Sequence, residues 1–158
     1  MRVVVIVVAV VVLAASYLTW TAGRLDRLHA RVDAAAAALD AQLVRRSAVA
    51  AALAVAAGSP AVAAAAAEAR STDGVGHDRE AAENALIRVV REAALADVHP
   101  ALGAELATAV TKVAFARRFY NDAVRDTLTV RRRVIPRMLR LAGSAARPTY
   151  FEIDDEAP

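Results

Sequence analysis

The sequence predicts an all-α protein: an N-terminal transmembrane helix followed by an antiparallel bundle of four helices, two long and two shorter. Three observations carry this expectation. Val3 to Ala22 is an uncharged, largely apolar run of 20 residues. Beyond it, apolar or small residues recur in steps of mostly three and four, which is helical spacing. Breaking residues then gather at 58–60, 71–77 and 97–100 and divide the remaining chain into helical stretches.

The first run is long enough to cross a membrane. At a rise of about 1.5 Å per residue it spans about 30 Å, the thickness of one hydrocarbon core. Tyr17 and Trp20 fall near its exit, where amphipathic rings favour the headgroup level, and Gly23 with Arg24 marks the return to water. A cleaved signal peptide is the alternative, with Arg2 before the apolar run and a small-residue cleavage site at Val12, Leu13, Ala14. The apolar run continues well past that site, which favours an anchor over residues 1–23. Arg24, Arg27 and Arg31 outnumber Arg2 across the span, so the N-terminus is expected outside and the body in the cytoplasm.

Leu25, Leu28, Val32, Ala36, Leu39, Leu43, Ser47, Ala50 and Ala54 follow at nearly an 11-residue repeat, which predicts one straight helix continuing from the membrane. Gly58 and Ser59 end it, and Ser59 with Pro60 starts a short Ala-rich helix to about Arg70 as N-cap and first residue. Asp78 is expected to cap a third helix, with Glu80 and Glu83 complementing its dipole. A fourth helix, about 101–133, carries Leu102, Leu106, Val110, Val113, Tyr120, Val124 and Leu128 on one side and Phe115 and Phe119 on another. It is therefore expected to meet neighbours on two faces. The two long soluble helices would each measure about 50 Å. No aromatic residue occurs between Ala22 and Ala114, so close backbone approach through Ala must replace bulky packing there. The bundle is assigned to residues 24–142, and 143–158 to a flexible acidic tail.

Chemistry-bearing constellations are sparse. Without cysteine there are no disulfides, thiolate nucleophiles or Cys-bound zinc. His29, His77 and His99 are too far apart to form a helical ligand pair, and Glu80 and Glu83 lack the Glu-x-x-His partners of a di-metal bundle. Gly74 and Gly76 do not make a dinucleotide loop, and neither a phosphate loop nor a nucleophile elbow is present. No catalytic residue, cofactor, metal or small-molecule substrate is expected.

The densest run of informative residues is ARRFYNDAVRD, residues 116–126, followed by Pro136 and by Tyr150, Phe151, Glu152. This order is similar to the closing motif of the LemA family of bacterial membrane proteins. LVRR at Leu43 to Arg46 and the membrane anchor add to the resemblance, which implies a divergent Ala- and Arg-rich member. It implies a membrane-bound helical protein and supplies no activity. The residues it marks as a family-motif or partner surface are Arg117, Arg118, Phe119, Tyr120, Asn121, Asp122, Val124, Arg125, Tyr150, Phe151 and Glu152. Read physically, Arg118, Asp122 and Arg125 form a surface ion-pair ladder. Arg117 shares a side with Tyr120 and Val124 and needs either to snorkel or to find a buried partner, with Asp33 and Asp40 as candidates.

Charge is strongly segregated. Lys112 to Arg147 holds ten basic and two acidic residues, whereas Pro148 to Pro158 holds four acids and no base. Within the basic region, residues 131–143 sort into an apolar arc and a basic arc of Arg133, Arg137 and Arg140, which marks a basic amphipathic segment, either lipid-facing or a solvated helix end. An up-down bundle would return this end to the bilayer, where each Arg would contribute about 1 kcal/mol against anionic lipid. Nucleic acid is disfavoured, since no aromatic occurs within residues 125–149 and a membrane tether restricts access. The function expected is a membrane-anchored scaffold or interaction module, with lipid and an unknown protein or a second copy as partners. The alternative is an exported soluble helical protein.

Overall fold

The computed structural model describes residues 1–95, 99–133 and 145–154, and the described residues are helical or irregular. Four helices are described among these residues: α1 (Arg2–Ala57), α2 (Pro60–Ser71), α3 (His77–Ala93) and α4 (Pro100–Arg131). The predicted continuation of the apolar run into a long helix is observed, because α1 runs without interruption. It contains a stretch long and apolar enough to cross a membrane. The large side chains from Val3 to Leu13 are 54–72% exposed, so none of the described residues covers them. Tyr17 and Trp20 stand 6.5 Å apart between ring centroids, and the Arg24 guanidinium lies 5.7 Å above the Trp20 ring.

The chain divides into two compact units. The first comprises residues 1–33 and 123–148. Its buried residues include Leu25, Val32, Val124 and Leu128. Arg31 pairs with Asp126 at 3.3 Å, and Thr127 donates to the carbonyl oxygens of Ala123 and Leu28. Arg131 donates to His29 Nε2 at 3.0 Å and to the carbonyls of Ala145 and Ala146.

The second unit comprises residues 34–122 and 149–158. Its core joins Val49, Ala50, Leu53 and Ala54 of α1 to Val62, Ala66 and Ala69 of α2, Leu86 and Val90 of α3 and Leu106 of α4. Small residues dominate the α1 and α2 contributions, as the absence of aromatics requires. The predicted apolar stripes are those that are buried: Leu39, Leu43, Ser47 and Ala50 on α1, and Leu106, Val110, Val113 and Tyr120 on α4.

Local chemistry sets the helix boundaries. Gly58 takes φ +63°, a left-handed turn that favours glycine, and its N–H reaches the carbonyl of Val55. Ser59 caps α2 by accepting from the N–H of Val62, with Pro60 next in line as predicted. The cap of α3 differs from expectation. Extended Gly76 occupies that position without a side-chain bond, and Asp78 already lies in the first turn, where its charge meets the helix dipole. The helix also stops earlier than the Asp97–Pro100 break, because Ala94 turns left-handed at φ 48° and its N–H closes on Arg91.

Candidate functional site

The residues of the family-like motif converge on one short segment. Thr149 to Asp154 runs beside α3 and α4 with alternating exposure: Phe151 and Ile153 are buried, while Tyr150, Glu152 and Asp154 are exposed. Period-two alternation is the mark of extended chain. An extended segment outside a sheet must find partners for its main-chain groups elsewhere. Here side chains supply them. The Asn121 amide donates to the Phe151 carbonyl at 3.0 Å and accepts its N–H at 2.9 Å. Tyr120 Oη donates to the Thr149 carbonyl at 2.9 Å. From α3, the Glu80 carboxylate accepts the Glu152 N–H at 2.7 Å and Asn84 Oδ1 accepts that of Asp154 at 2.8 Å.

Charge reinforces this clasp at its rims. Arg117 reaches Glu152 at 3.4 Å, and Arg91 reaches Asp154 at 3.2 Å. Arg117 thus finds a partner in the 149–154 segment. Of the expected partners, Asp33 is exposed and Asp40 faces Arg79. Residues 149–154 are likewise packed into the second unit, contrary to the expectation of a free acidic tail. Hydrophobicity at Phe151 and Ile153 decides this, since both enter the core side.

A second constellation escaped the sequence reading. Arg46, Glu83 and Arg79 are all buried to 1% exposure or less. Glu83 bridges them, accepting from Arg46 Nη2 at 2.8 Å and from Arg79 Nε at 2.8 Å. Arg79 also donates through Nη1 to the Thr72 carbonyl and lies 3.6 Å from Asp40. Among the described residues Arg46 Nε and Nη1, Arg79 Nη2 and Gln42 Oε1 are buried without a hydrogen-bond partner. The expected role of Glu83 as a dipole complement is thus replaced by charge pairing in the core. The helical phase held the signal: Arg46 falls within the stripe of Leu43, Ser47 and Ala50, and Arg79 and Glu83 fall in phase with Leu86 and Val90.

The remaining motif residues separate into two kinds. Val124 is fully buried in the first unit, as its place on the apolar stripe required. Phe115 and Phe119, expected to meet a second neighbour, are 54% and 67% exposed. They flank a shallow groove of about 450 Å³ with Ala35, Ala38, Gln42 and Lys112. Arg118 lies 5.9 Å above the Phe115 ring, and Arg125 is exposed.

The amphipathic segment lies mostly outside the described residues. Arg133 follows the end of α4 in a turn, with its N–H on the Val130 carbonyl; Arg137 and Arg140 are among residues 134–144, which are not described. No group of three or more His, Asp or Glu residues able to hold a metal occurs among the described residues. His77 meets Glu80 at 2.8 Å on the surface, and His29 meets Arg131.

Fold and site together define an all-helical protein with one helix able to cross a membrane and a side-chain clasp around residues 149–154. No family model, curated protein or solved structure matches the chain.

Proposed function

We propose that this is a membrane-anchored helical scaffold or interaction module, and a divergent LemA-type protein. The observation that carries the reading is the joining, within α1, of an uncovered apolar segment to a packed helical body. Ten large apolar side chains exposed from Val3 to Leu13 have no stable place in water, and a bilayer is the solvent that suits them. Tyr17, Trp20 and the Arg24 guanidinium supply the aromatic and cationic rim expected at a membrane surface.

The body is an antiparallel four-helix bundle in this reading. Two relations within the second unit support opposite directions for α1 and α4. Arg45 pairs with Glu105, whereas the earlier Ala35 and Ala38 share a groove with the later Phe115 and Phe119. Binding rather than catalysis is the role, with the body in the cytoplasm and Arg133, Arg137 and Arg140 against anionic lipid. The bilayer is one partner, and a protein or a second copy is the other.

Limited trypsin digestion of the full chain in nanodiscs tests the lipid contact. Cleavage after Arg133, Arg137 and Arg140 should slow in anionic discs and recover at high salt. Equal cleavage in neutral and anionic discs would remove the lipid-docking element of the reading.

A further inference from the structure

The clasp recognises main chain more than side chain. Asn121, Tyr120, Glu80 and Asn84 all bond to backbone atoms of residues 149–154, and these bonds form equally with a strand supplied by another molecule. Selectivity comes from burial of Phe151 and Ile153 and from two rim arginines that face Glu152 and Asp154. The matching ligand is an extended segment with alternate apolar and acidic residues. Every copy of the chain carries one such segment and one such groove.

We propose that the groove formed by α3 and α4 is a docking site for the 149–154 segment of a second copy, which exchanges with the copy's own. Reciprocal exchange closes into a two-fold pair and reproduces each bond already present, so its enthalpic cost is small. The copy's own segment competes at an effective concentration of about millimolar for a short tether. Exchange is therefore rare in dilute monomer and favoured by crowding of copies or by weakening of the resident segment. The inference rests on the second unit alone and is independent of the membrane reading.

Two full-length variants test it by complementation in detergent. Phe151→Ala keeps the groove and impairs the segment; Asn121→Ala keeps the segment and impairs the groove. Each is labelled with a different fluorophore after circular dichroism has established its helicity. The mixture should transfer energy at concentrations about tenfold below those at which either variant self-associates. Association of the mixture no tighter than that of either variant alone would overturn the proposal. Phe151→Leu replaces the Ala variant if that one does not fold. A labelled peptide of residues 148–154 provides a second readout: it should bind the Phe151 variant saturably and at least about tenfold tighter than the unaltered chain. Absence of binding, or equal binding by a peptide with Ala in place of Phe151, would also overturn it.

Discussion

Asn121 on α4 grips both main-chain polar groups of Phe151, at 3.0 Å for the carbonyl and 2.9 Å for the N–H. An Asn side chain is an amide, so it can satisfy a backbone amide as a neighbouring strand would. The pairing places the Phe151 ring in the core at 0% exposure. Together with Tyr120, Glu80 and Asn84, Asn121 holds the 149–154 segment in register.

Phe151→Ala should destabilise the protein by about 3–5 kcal/mol through lost burial and the cavity left behind. Asn121→Ala should cost about 1–3 kcal/mol by leaving two main-chain groups unpaired. Urea unfolding in detergent, followed by circular dichroism, measures both. A Phe151→Ala change of less than 1 kcal/mol would show that the segment is not part of the cooperative core.

Glu83 neutralises two buried arginines. Glu83→Ala strands Arg46 and Arg79 and should cost about 3–5 kcal/mol, whereas Arg46→Met with Glu83→Leu should cost less than Glu83→Ala alone. Equal or greater loss in the double variant would mean that stranding buried Arg79, which still loses Glu83, outweighs removing the Arg46 charge. Thermal melts of the three chains separate these outcomes.

Phe115 and Phe119 bury little, at 54% and 67% exposure. Phe119→Ser should therefore change stability by no more than about 0.5 kcal/mol. A large loss would show that this face is covered in the folded protein.

Ala94 ends α3 at φ 48°, where a side chain is strained. Ala94→Gly should raise stability by about 0.5–1 kcal/mol, since glycine adopts this conformation freely. A decrease would indicate that the Ala methyl packs usefully enough to outweigh its backbone strain.

Long periodic elements were legible in the sequence, and side-chain partnerships were not. The α1 and α4 stripes follow from spacing alone, because burial imposes a period that survives any detail of packing. Ser59 and Pro60 likewise act through their immediate neighbours. By contrast, the partner of Arg117 lies at Glu152, across a segment that has no helical period and so gives no spacing signal. The acidic composition of residues 148–158 suggested a solvated tail, yet two apolar side chains at alternate positions outweigh it. Arg46 is buried while Arg45 beside it is exposed, because the phase of α1 separates the two. Polar residues within an apolar stripe were the available clue to the charged core.

In the membrane-anchored form, residues 1–23 remain part of the protein and hold it in a bilayer. Sequencing the N-terminus of the full-length protein recovered from membranes after an alkaline wash tests this most directly. A pelleted chain that retains its apolar segment is the expected result. A chain released to the supernatant with a terminus near Ala15 would contradict it and identify an exported helical protein.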